Sequence, residues 1–277
     1  MSEPLIIRAR VAAPVKEVRH ALTDPAAMRV WLAEHAEADL PGRYAFWGRH
    51  TPEGDAPHQR PLHADDRTVR FAWTLDGVET TTELRVEEEG PDSTIVTVEQ
   101  SHFDMQEALA EKGTRSVLLT YWCLALANLA EHLEGRELTP KVDFTSADLR
   151  ATVLIDAPPE MVFHALIDSE SVTRWFNCPV GIEPHVGGRY AMGGLDANAS
   201  PAKIVDLEPG RRLGVDWGRV GVTTWELEGS EGRTRLTMMQ SGFDRPPYAA
   251  WAGNVAGLAE LRRFCEQPSW SAPVIAA

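Results

Sequence analysis

Few side chains in this sequence combine type and spacing suited to chemistry. His102 follows Ser101 at the end of a predicted strand, and an imidazole there could give or take a proton near neutral pH. It is the one acid–base candidate, and no catalytic residue is assigned. His50, His58 and His63 lie with Asp65 and Asp66 in a Pro/Gly-rich stretch read as a loop. Their spacing fits no metal motif, so neither a metal nor a cofactor is expected. His20 and His164 read as packing residues. Cys123, Cys178 and Cys265 are odd in number and form no CxxC pair, which argues against a disulfide framework or a zinc knuckle. There is no GxSxG elbow, P-loop, HExxH or dinucleotide fingerprint.

The tryptophans carry more information. Large aromatics supply apolar area with few rotatable bonds, which suits either a core or the wall of a ligand pocket. Trp47, Trp73, Trp122, Trp217, Trp225 and Trp251 are the candidate pocket walls. A helical count of about 100° per residue places Val255, Leu258 and Arg262 on the seam of Trp251, with Asn254 at its edge. An earlier helix repeats that seam in wholly apolar form through Trp122, Leu126, Leu129 and Leu133. Asn254 and Arg262 could therefore orient a ligand; alternatively Arg262, near the helix end, reaches water. Gly253 and Gly257 lie on the back of the second helix. Glycine there costs about 1 kcal/mol relative to alanine, so both are expected to face a close neighbour, in the other domain or a second copy.

These residues are positioned by a unit that occurs twice. Ala13-Pro14 falls on Ala157-Pro158 at an offset of 144, and Val18, His20, Ala21, Leu22, Asp24 and Trp31 then fall on Val162, His164, Ala165, Leu166, Asp168 and Trp175. Further matches keep the same order: Gly42-Arg43-Tyr44 on Gly188-Arg189-Tyr190, Trp73 on Trp217, Gln100-Ser101 on Gln240-Ser241, Phe103-Asp104 on Phe243-Asp244, Trp122 on Trp251 and Leu129 on Leu258. Each copy opens with an alternating strand and passes through a helix introduced by Pro14 or Pro158. A second short helix follows, at Asp24-Pro25 or Asp168-Ser169. Alternating strands come next, clearest from Val78 to Glu87, and suggest an antiparallel sheet with one wet face. Each copy closes with an amphipathic helix, expected at Lys112–Glu134 and Pro247–Gln267. The expected boundaries are domain 1 at 1–138, a linker at 139–146, domain 2 at 147–270 and a tail at 271–277.

That order of elements, with Ala13-Pro14, Ala21-Leu22-Thr23-Asp24-Pro25, Trp31, Pro41-Gly42-Arg43-Tyr44 and Phe71-Ala72-Trp73, resembles the SRPBCC (START-like, Bet-v-1-like) superfamily. The second copy matches through Trp175-Phe176, Gly187-Gly188-Arg189-Tyr190, Trp217, Gly242-Phe243 and Trp251. The nearest branch is the domains named after the activator of the heat-shock-protein-90 ATPase. The resemblance implies an α+β fold of two tandem helix-grip domains, each an antiparallel sheet wrapped around a long C-terminal helix with two short helices. It implies a hydrophobic small-molecule ligand held between sheet and helix. Arginine-rich, lysine-poor composition with abundant Ala, Gly and Pro points to GC-rich coding; together with it the superfamily resemblance implies a secondary-metabolite setting, a polyketide-like ligand and, by analogy with START-like domains near enediyne clusters, a role in sequestration or self-resistance. A polyketide cyclase or aromatase and a cochaperone-like interaction module are the alternatives.

Composition narrows the partners. A net charge of −14 repels phosphate backbones and anionic lipid, so neither nucleic acid nor membrane is an expected partner. No apolar stretch approaches the roughly 20 residues of a membrane span, and the N-terminus lacks the order of a signal peptide. A cytoplasmic monomer or homodimer is expected.

Overall fold

Alternation of buried and exposed side chains makes Leu5–Val11 a strand (β1), with Leu5, Ile7 and Val11 inward and Arg8 outward. After it, α1 (Val15–Thr23) and α2 (Pro25–Trp31) meet at Asp24, whose carboxylate caps α2 by accepting from Ala27 N at 2.8 Å. Strands β2 (His35–Asp39) and β3 (Arg43–Trp47) pair as a separate hairpin. The main sheet adds β4 (Gln59–Ala64), β5 (Thr68–Leu75), β6 (Val78–Gly90) and β7 (Ser93–Gln100). Helix α3 (Met105–Leu109) and a 3₁₀ turn at Thr114–Val117 precede α4 (Leu118–Leu133). This is a computed structural model of the chain, describing residues 4–110, 112–242, 249–267 and 270–276.

The second copy repeats the order as β8 (Arg150–Ile155), α5 (Pro159–Ile167), α6 (Ser169–Phe176), β9 (Val180–Ile182), β10 (Arg189–Met192), β11 (Ala202–Glu208), β12 (Arg212–Asp216), β13 (Val222–Ser230) and β14 (Arg233–Ser241). It ends with α7 (Ala249–Glu266), followed by the short strand β15 (Val274–Ala276). Both sheets are antiparallel, in the orders β15-β1-β7-β6-β5-β4 and β8-β14-β13-β12-β11-β10-β9. The fold is α+β, two tandem helix-grip domains. By compactness one unit holds Met1–Thr145, Tyr248–Ala256 and Pro273–Ala277, and the other holds Ser146–Pro247 and Gly257–Ala272.

The repeat extends to hydrogen bonds that composition does not reveal. Trp31 Nε1 donates to Ala21 O at 2.9 Å and Trp175 Nε1 to Ala165 O at 2.8 Å. Thr94 Oγ1 donates to Ala13 O and Thr234 Oγ1 to Ala157 O, at 2.8 and 2.7 Å. Asp168 caps α6 through Ser171 N as Asp24 caps α2. A buried carboxylate also recurs on each long helix. Glu131 accepts from Thr139 N at 2.7 Å and Glu260 from Trp270 Nε1 at 2.9 Å, each tying down the segment after its helix.

Several boundaries differ from those expected. The first long helix starts at Leu118, because Gly113 at φ +68° breaks the run from Lys112. Pro14 and Pro158 precede their helices as caps. Part of the stretch read as a loop is β4, where Pro61 is tolerated because β4 is an edge strand with a register shift between Pro61 and His63. Residues 139–146 are held down: Lys141 Nζ donates to Arg29 O and Val30 O, Phe144 N to Arg49 O, and His50 Nδ1 pairs with Val142 O. Residues 274–276 pair with β1. The matched Phe243-Asp244 and the helix start at Pro247 lie outside the described residues.

Candidate ligand-binding site

The register of the second sheet sets one face inward. Leu213 and Val215 on β12 stand beside Trp225 and Thr223 on β13, which stand beside Met238 and Gln240 on β14. All six are buried. Trp217 follows β12 with the same alternation and is partly exposed. Its indole N–H donates to Thr223 Oγ1 at 3.0 Å, and its ring meets Tyr190 edge to face with centroids 5.5 Å apart. The second unit also holds the later half of α7. There Leu258 is buried, and Arg262 is 2% exposed, so its side chain stays inside and does not reach out to water. Trp251, Asn254 and Val255 group with the first unit. A Cβ on Gly257 would meet the Trp175 ring at 3.3 Å, so this glycine admits a bulky neighbour of its own unit; at Gly253 the neighbour is Thr120 Cγ2, at 3.4 Å.

The first domain fills the matched space. Trp73 and Trp122 are both 0% exposed. Trp73 packs on Phe46 at 5.2 Å, Tyr121 at 5.7 Å and Trp122 at 6.1 Å, while Tyr44 packs on Phe71 at 5.2 Å. Leu126 and Leu129 close the same seam. Behind α4 lies a cavity of about 10 Å³, lined by Trp31, His50, Tyr121, Asn128 and Lys141 among others. That volume admits about one water. Trp47 stands apart on β3, partly exposed, with its ring 5.4 Å from that of His35.

The difference has a side-chain cause. Reading outward from the matched Gly-Arg-Tyr, Phe46 and Trp47 become Met192 and Gly193, and Phe71 becomes Val215. Two aromatics of the first domain's cluster, Phe46 and Phe71, are thus replaced by smaller side chains in the second. The matched tyrosines diverge as well. Tyr44 Oη donates to Leu22 O at 3.1 Å, whereas the Tyr190 hydroxyl, on a side chain 3% exposed overall, bonds to no described residue. Burial raises the pKa of both phenols. Tyr190 was not among the candidates drawn from the sequence, because it is identical to Tyr44 there and only its surroundings set it apart.

His102 lies in an exposed bend at φ +56°, the position Gly242 occupies at φ +99° in the second copy. Its Nδ1 pairs with the hydroxyl of its neighbour Ser101 at 2.9 Å. The imidazole is exposed just past the end of β7, two residues beyond Gln100, whose Oε1 accepts from Trp122 Nε1 at 3.4 Å. Among the described residues no group of three or more His, Cys, Asp and Glu is arranged to hold a metal ion. Burial pushes the Cys265 thiol up to about 12, which leaves it a poor nucleophile.

Comparison with known proteins agrees with this architecture. The family described as activator of Hsp90 ATPase homolog 1-like protein matches residues 12–134 and again 156–260. The chain belongs to this family. Its two family segments coincide with the two helix-grip repeats. Among solved structures, CalU16 from Micromonospora echinospora is 30% identical over 48% of this chain and 74% of its own, with a TM-score of 0.37. DynU16, a protein of the dynemicin biosynthetic locus, is 20% identical over 96% of this chain and 99% of its own, with a TM-score of 0.41. The di-domain ARO/CYC BexL of the BE-7585A biosynthetic pathway is 17% identical over 96% and 99%, with a TM-score of 0.38. No curated protein matches the sequence. No described helix is long and apolar enough to cross a membrane.

Proposed function

We propose that the second domain binds a flat hydrophobic small molecule, a polyketide-like natural product, on the inward face of its sheet against the later half of α7. The protein would hold this compound for sequestration or self-resistance. The observation that carries the reading is the contrast at one matched position: Trp73 is sealed among Phe46, Tyr121 and Trp122, while Trp217 remains partly exposed beside Tyr190 and Thr223. An indole face left accessible in an apolar sheet offers stacking area to an aromatic ligand. Trp225, Met238 and Leu258 supply apolar wall, and the buried Arg262 brings one cation into that domain's interior. Such sites are mostly apolar with a few polar groups that fix orientation. The first domain, whose aromatic cluster is closed and whose cavity at Trp31 and Tyr121 admits about one water, acts in this reading as a scaffold. Three cysteines that form no disulfide accord with a reducing cytoplasm.

Calorimetric titration with polycyclic aromatic probes tests the proposal. Binding is expected with a dissociation constant well below about 1 mM, weakened roughly tenfold by Trp217→Ala and within about twofold of wild type in Trp47→Ala. Absence of binding across the panel, or equal losses in the two variants, contradicts it.

A further inference from the structure

The Tyr190 hydroxyl makes no hydrogen bond to a described residue, and its ring packs against the partly exposed Trp217. A hydroxyl with no protein partner bonds to water or to a ligand. Its twin shows the ordinary solution, since Tyr44 Oη donates to Leu22 O at 3.1 Å. Tyr190 sits at the same place in its own domain, on β10 between Ile182 and Ala202, and is 3% exposed against 0% for Tyr44, with its hydroxyl within reach of solvent. It makes no corresponding bond to the described residues. Its ring lies 5.5 Å from that of Trp217, whose own N–H is already used by Thr223. A hydroxyl that bonds to no described residue therefore stands beside the partly exposed indole of Trp217.

We propose that Tyr190 Oη is the recognition donor of the second domain, and that its ligand is a fused aromatic bearing a ketone, quinone or similar oxygen acceptor at its edge. This rests on the ligand-binding reading above and adds the chemical class. A planar ring against Trp217 brings an edge oxygen within reach of the adjacent phenol, and the hydrogen bond compensates both groups for lost water. Burial holds the phenol protonated at neutral pH, so it donates and does not compete as an anion. A site built to hydrogen-bond such an oxygen discriminates against the hydrocarbon that lacks it, because the buried hydroxyl is then left unpaired.

The pair fluorenone and fluorene differs in that one carbonyl. The wild-type protein should bind fluorenone about tenfold more tightly than fluorene, and Tyr190→Phe should bring the two to within about twofold by weakening fluorenone alone. A preference retained in Tyr190→Phe, or none in the wild type, overturns the assignment while leaving the ligand-binding reading intact. If the wild type binds neither probe below about 1 mM, the ligand-binding reading itself fails and takes this inference with it. A second measurement needs no variant. The infrared carbonyl stretch of ¹³C-labelled fluorenone should move to lower frequency on binding, relative to its position in an apolar solvent. An unmoved band contradicts a phenol donor.

Discussion

The two domains share a scaffold down to individual hydrogen bonds yet treat their interiors oppositely. Both anchor the second short helix through a tryptophan N–H, cap it with an aspartate, and pin the segment after the long helix with a buried glutamate. Inside that frame the first domain packs Phe46, Phe71, Trp73 and Trp122 against one another, and the second carries Met192 and Val215 at the positions of Phe46 and Phe71. Duplication of a fold thus leaves two copies free to specialise: exterior ties that set the backbone are kept, and interior volume changes. A few side-chain exchanges suffice, because the sheet and helix hold their positions without them.

The largest expected effect that could break this comparison is on stability. Trp73→Ala removes a fully buried ring and should destabilise the protein by about 3–5 kcal/mol in urea unfolding, whereas Trp217→Ala should cost less than about 2 kcal/mol. Equal costs would mean that the two interiors are equally packed. Next come the tyrosines. Tyr44→Phe strands the buried Leu22 carbonyl and should cost about 1 kcal/mol or more, while Tyr190→Phe loses no protein bond and should melt at or above the wild-type temperature.

A smaller effect is pH-dependent and specific to the first domain. Burial lowers the pKa of His50, whose ring pairs with Val142 O. The unfolded chain, with a histidine value of about 6.5, then binds protons more readily than the folded one. This contribution to stability is present above about pH 6.5 and lost as the pH falls below it. The melting temperature should drop between about pH 7.5 and 5.5, and His50→Gln should flatten the dependence. Exposed ion pairs in both domains behave differently: the Arg189 guanidinium holds Glu183, and that of Arg10 holds Glu89, down to about 2, so their small contributions are lost only as the pH falls from about 4.5 toward 2.

Much of the scaffold was legible because it depends on patterns of residue type. The order of matched residues, the alternation from Val78 onward and the apolar seam of Trp122, Leu126 and Leu129 all map onto observed elements. Features that rest on context were not legible. Glu131 on an otherwise apolar helix does not announce that Thr139 will fold back onto it. Pro61 reads as a loop breaker until β4 is known to be an edge. Val274–Ala276 is too short to signal a strand without β1 beside it. The site suffered most from this. Tyr44 and Tyr190 are the same residue in the same motif, and the hydroxyl's freedom follows from neighbours that come together only on folding.

Fluorine NMR of protein labelled with 5-fluorotryptophan, titrated with fluorenone, tests the asymmetry most directly, because each indole reports for itself. The account predicts that the Trp217 and Trp225 resonances shift with a common saturation while Trp73 and Trp122 stay in place. Shifts at Trp73 or Trp122 with Trp217 unmoved would put the ligand in the first domain and contradict the account.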